Sequence, residues 1–76
     1  MNWFKEIKCD GIQFLVTKNW DEDGYNTLME CYFLEHYYFV KLTCDKNTDE
    51  CLDEVFDSVD NELCKEVIKN IKEELN

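Results

Sequence analysis

The chain reads as an α+β fold: a small antiparallel sheet of about four strands, followed by one long or two short C-terminal helices packed on one face. Three observations predict it. Apolar residues recur with a period of two as far as Cys44 and with a helical period after Asn47. An Asp-Gly pair at Asp10 and Gly11 separates two apolar segments, and such a pair supplies the positive φ that both central positions of a tight hairpin need. The 76 residues, with two Gly and no Pro, leave room for a single domain, 1–76, with no low-complexity linker.

The first strand is expected in "WFKEIKC", residues 3–9, with Trp3, Ile7 and Cys9 on one face. After the Asp-Gly turn, "IQFLVTK" is the returning strand, with Ile12, Phe14 and Val16 inward. "NWDEDGYN", residues 19–26, is a turn cluster. "TLMECYFLE" and "YYFVKLTC" form a further hairpin turning near His36, with Met29, Cys31 and Phe33, then Tyr38, Val40 and Leu42, facing inward. Asn47 is the expected N-cap, with Glu50 as its capping-box partner. Leu52, Val55, Phe56, Val59 and Leu63 follow at helical spacing. Val67, Ile68, Ile71 and Leu75 continue on a stripe that drifts around the axis. The drift implies a bend or a break near residues 58–61, and one bent helix and two helices both fit it. On the opposite sheet face lie Leu15, Leu28, Tyr32, Leu34, Tyr37 and Phe39. Either a bent helix, the N-terminus or curling covers them, or they form a contact surface, with a second copy of the chain as one partner.

Charge narrows the function classes. Eighteen acidic residues face eight basic ones, a net charge of −10, and every basic residue is Lys. Without Arg, the usual residue for phosphate and base-edge contacts, and at this charge, direct nucleic-acid binding is not expected. An anionic membrane surface would repel the chain as well. The N-terminal stretch "MNWFKEIKCDG" lacks the charged-then-apolar pattern of a signal peptide. No apolar run approaches the roughly 20 residues of a membrane span. Five Cys cannot all close into intrachain disulfides. A cytoplasmic protein with reduced, mostly buried thiols is expected. Self-repulsion at this charge opposes compaction, so the melting temperature should rise with moderate NaCl; a fall across a salt series would contradict this.

The carboxylates are not evenly spread. Residues 45–62 hold eight of them and one Lys. Asp49, Asp53, Asp57 and Asp60 form one line on a continuous helix, with Glu50 and Glu54 beside it. Residues i and i+4 lie about 6 Å apart along a helix, so two adjacent lines approach one carboxylate per roughly 3 Å, close to the 3.4 Å phosphate spacing of a DNA strand. Such a ribbon either is simply solvated or fits a basic groove built for nucleic acid, through long-range, salt-sensitive attraction. Asp21, Glu22 and Asp23 form a second acidic patch.

In size, charge and layout the chain resembles the small anti-CRISPR proteins of phages and mobile elements, and equally the anti-restriction DNA mimics. The resemblance extends to no motif, so no binding residue is carried over from it. It implies an acidic inhibitor acting in a bacterial cytoplasm by DNA mimicry, with the basic channel or PAM-reading pocket of a Cas9-type nuclease as its target.

Other chemistries are less well provided for. "NWDEDGYNTLME", residues 19–30, has EF-hand loop spacing, with Asn19, Asp21, Asp23, Gly24 and Glu30 at ligand and turn positions. Its flanks read as strands, so an acidic hairpin loop is expected instead. No Cys-x-x-Cys is present and His36 is the sole His, so no cofactor is expected. A zinc site from Cys44, Cys51, Asp21 and Asp23, converging at one end of the sheet, is the alternative. A Cys with His36 lacks any oxyanion or phosphate-binding loop, so an enzyme is not expected.

Overall fold

A computed structural model describes residues 2–75. Its elements are β1 (Phe4–Cys9), β2 (Ile12–Asp21), β3 (Gly24–Phe33), β4 (His36–Thr43), α1 (Asp49–Ser58) and α2 (Asn61–Glu74). The four strands form an antiparallel meander in the order β1-β2-β3-β4, so β1 and β4 are the edges. The expected α+β architecture is therefore present, with two helices rather than one.

The first turn follows its chemistry. Asp10 and Gly11 both take positive φ, at 52° and 78°, and Cys9 pairs with Ile12 across them. The acidic turn is tighter than residues 19–26: Asn19 and Trp20 belong to β2, Tyr25 and Asn26 to β3, and only Glu22 and Asp23 lie between. The last hairpin turns on Leu34 and Glu35, with φ of 52° and 69°, while His36 is already in β4 opposite Phe33.

One sheet face carries the core. Phe14, Val16, Met29 and Cys31 pack there with Phe56, Val59, Cys64, Ile68 and Ile71 from the helices. Inward Ile12, Phe33, Tyr38, Val40 and Leu42 border it, as their alternation requires. Helix α1 lies over β2 and β3, and α2 leans on β1. Cys64, not among the expected stripe residues, is fully buried, whereas Leu75 at the end of the stripe is exposed.

The N-cap of α1 is Thr48, not Asn47. The Thr48 hydroxyl accepts the Cys51 N–H at 3.2 Å. Asn47 is already committed: its Oδ1 accepts the Tyr25 N–H at 2.9 Å, tying the approach to α1 onto the start of β3. Gly24 leaves room for this tie, because a Cβ there would stand 2.5 Å from Asn47 Oδ1. The break between the helices is also capped. Asp60 takes an extended conformation, and its Oδ1 accepts the Leu63 N–H at 3.0 Å, so α2 starts afresh.

Candidate functional site

The acidic ribbon survives on α1, with two members reassigned. At about 100° per residue, Asp49, Asp53, Asp57, Glu50 and Glu54 fall in that order across an arc of about 140°. Leu52 and Phe56 border that arc on the Asp49 side and are buried in the core. Asp49, Glu50, Glu54 and Asp57 are exposed. Asp60 leaves the line, because the helix ends at Ser58 and the Asp60 carboxylate caps α2.

Asp53 is the second reassignment. It is ion-paired to Lys18, whose side chain is only 8% exposed against 45% for Asp53. Lys18 projects from the inner face of β2, and its ammonium lies 5.0 Å from the centroid of the Phe56 ring. Lys5, on β1, approaches the same ring at 4.6 Å and donates to the Phe56 carbonyl at 2.8 Å. Two inward Lys therefore cross the core edge and end on α1. Asp53 serves this junction more than the ribbon.

The second patch is also partly consumed. Lys41 Nζ donates to Asp21 Oδ2 at 2.9 Å and to Asp23 Oδ2 at 3.2 Å. Asp21 further accepts the Asp23 N–H and the Asn26 side-chain amide. The Lys41 ammonium, first, and the Asp23 N–H hold the Asp21 carboxyl below its ordinary range. Of the three acidic side chains, Glu22 alone makes no ion pair among the described residues.

The structure does not assemble the four-residue metal site. Among the described residues, no group of three or more His, Cys, Asp and Glu comes together as metal ligands. Asp21 and Asp23 turn onto Lys41, while burial, then the neighbouring Cys51, pushes the Cys44 thiol up. The EF-hand spacing is likewise taken up by strands: Glu30 lies in β3 and accepts the Tyr37 hydroxyl at 2.6 Å. His36 is exposed at the start of β4.

The thiols divide into two sets. Cys9, Cys31 and Cys64 are buried, whereas Cys44 and Cys51 are partly accessible. Burial, then the neighbouring Cys9, pushes the Cys64 thiol up to about 11. A thiol must be reached before it reacts, so a thiol-specific reagent should label the accessible Cys44 and Cys51 at least about tenfold faster than the buried three. Peptide mapping after a short pulse checks this; equal labelling of all five would contradict the packing.

One feature of the site was not expected. Trp3 and Trp20 remain 60% and 56% exposed although their parity places them on the inner side of the sheet. They flank a cleft beside the first turn of α1, with Asp49 and Asp53 at its border. On the other side of the sheet the outer face is uncovered: Phe4, Leu15, Tyr32, Tyr37 and Phe39 are all exposed, with Tyr37 stacked on Phe39.

No described helix is long and apolar enough to cross a membrane. Compared with family models, curated proteins and solved structures, the chain matches none, so function rests on the charge and geometry of these surfaces.

Proposed function

We propose that this protein is an acidic inhibitor of a basic nucleic-acid-binding protein, most specifically of a Cas9-type CRISPR nuclease, acting by DNA mimicry in a bacterial cytoplasm. One observation carries the reading. Asp49, Glu50, Glu54 and Asp57 are exposed side by side on α1, a surface bearing −4 that no Arg and no ion-paired Lys neutralises. A basic groove shaped for phosphates meets the same sign and a similar spacing of charge there.

The test is a DNA-cleavage assay across a panel of Cas9-type nucleases, with the protein added before or after target DNA. Inhibition that disappears once target DNA is bound means competition for the DNA site. The triple variant Glu50→Lys, Glu54→Lys, Asp57→Lys should raise the inhibitory concentration roughly a hundredfold. Asp53 is left intact, because a Lys there would face Lys18 and unsettle the fold. Unchanged inhibition by a well-folded triple variant would sink the mimicry reading.

The uncovered outer face favours a second reading, a module that pairs with a second copy of itself. That face carries less net charge than α1, with Glu6, Asp21 and Glu30 against Lys8 and Lys41, so two copies joined there would keep their acidic helices apart. Added salt separates the two readings, weakening ribbon binding and sparing or strengthening apolar pairing. Sedimentation across a protein-concentration series reads the second directly.

A further inference from the structure

Trp3, Trp20 and Asp49 meet at one cleft of about 170 Å³, floored by Leu52 and closed by Asn2, Lys18 and Asp53. These are the only Trp in the chain, and each is more than half exposed. A Trp buries 150–250 Å² when packed, so leaving both in water forgoes a large apolar gain. Exposed Trp beside a pocket is what the centre of a protein interface uses as an anchor.

Each ring has an edge-on aromatic neighbour. Trp20 meets Tyr25 edge-on, with centroids 5.8 Å apart and planes at 81°. Trp3 meets Phe4 at 5.2 Å and 65°. The Lys18 N–H donates to the Trp3 carbonyl at 2.9 Å, fixing the N-terminal segment alongside β2.

We propose that this cleft receives an arginine side chain of the basic partner. The proposal rests on the inhibitor reading and assigns it a specific contact. Three features select a guanidinium. The indole faces attract a cation through the ring quadrupole. A guanidinium is planar, so it stacks on an indole while its N–H groups reach a carboxylate. The cleft's own cation is spent, since Lys18 is paired with Asp53 and lies over Phe56. Asp49 makes no ion pair among the described residues and stays available. An anionic or neutral polar ligand would meet the −10 chain or leave Asp49 without a counter-charge.

The cleft reports on itself, because selective Trp excitation sees these two residues and no others. The full-length protein is titrated with a tetra-arginine peptide, with the isosteric but uncharged tetra-citrulline peptide, and with tetra-lysine. Calorimetry runs in parallel to register binding anywhere on the surface. The expected result is a saturable change in Trp emission with tetra-arginine, weaker with tetra-lysine and absent with tetra-citrulline. Asp49→Asn, which keeps the Thr48 cap, should weaken that response roughly fivefold.

Calorimetric binding of tetra-arginine with no Trp response, lost in the Glu50→Lys, Glu54→Lys, Asp57→Lys variant but not in Asp49→Asn, would overturn the cleft and leave the ribbon reading standing. An equal Trp response to tetra-citrulline would overturn the cationic ligand class. No binding of any cationic peptide by either readout would remove the cleft and the inhibitor reading together.

Discussion

Replacing Phe56 by Ala should leave the protein with little or no net stability. Phe56 is buried beneath α1, and truncating a buried Phe costs about 3–5 kcal/mol. Its ring also faces Lys5 at 4.6 Å and Lys18 at 5.0 Å, and each such contact adds about 0.5–1 kcal/mol. The sum, about 4–7 kcal/mol, meets a domain whose single core supplies on the order of 3–5 kcal/mol at this length. The Lys5 bond to the Phe56 carbonyl survives the change, because it is made to backbone. Lys18 fares worse, since it is nearly buried and would keep Asp53 as its sole partner.

Phe56→Leu separates packing from the ring. Leu restores most of the apolar volume and none of the quadrupole, so its cost should be about 2 kcal/mol. Urea denaturation followed by far-ultraviolet circular dichroism measures both variants. A loss below about 1 kcal/mol in Phe56→Ala would show that α1 is not anchored through this residue.

The reason Phe56 matters so much was only half visible in the sequence. Its place on the helical stripe followed from spacing with Leu52 and Val59. The two Lys that end on it did not, because Lys5 and Lys18 interrupt otherwise apolar inward sets, and their partner lies tens of residues away. Alternation alone assigned them to a face but supplied no charge for them to meet. The ion pair of Asp53 is hidden for the same reason: on a helical wheel it is one more carboxylate, and only the packing of α1 on β2 brings it to Lys18. Asp60 joins the ribbon only where one helix runs on past Ser58; the break makes it the N-cap of α2. Trp3 and Trp20 posed the reverse problem. Their parity points inward, but the helical layer does not extend over them, so aromatic side chains of core type stand open beside Asp49. Where local chemistry decides the outcome, residue type suffices, as at Asp10 and Gly11. Where two neighbours compete, it does not: Asn47 accepts the Tyr25 N–H and leaves the cap to Thr48.

The Leu34–Glu35 turn supplies the second large effect, this time a gain. Both residues hold positive φ, at 52° and 69°, the same backbone that Asp10 and Gly11 adopt at 52° and 78°. The chain thus makes one turn type twice, once with the residues it favours and once without. An L-residue with a full side chain in this region costs about 1–2 kcal/mol. Replacing Leu34 and Glu35 by Asn and Gly should therefore stabilise the fold by about 2 kcal/mol, after the added freedom of Gly in the unfolded chain is subtracted. For a domain of this length that raises the melting temperature by roughly 8–16 °C.

The converse variant, Asp10→Leu with Gly11→Glu, should lose a similar amount. A Cβ on Gly11 meets nothing within 4 Å, so the loss reports backbone strain and not a clash. If the Asn-Gly variant failed to melt higher, the strain assigned to Leu34 and Glu35 would be wrong. The comparison also bears on function. Leu34 is 69% exposed and stands at the tip beside Tyr32, at the end of the uncovered aromatic face. Strain held by an exposed Leu is explained if the tip makes a contact that Asn-Gly cannot. A stabilised variant with weakened self-association would assign Leu34 to the outer interface. A stabilised variant with unchanged self-association and inhibition would make the turn a tolerated cost and confine binding to the helical side of the sheet.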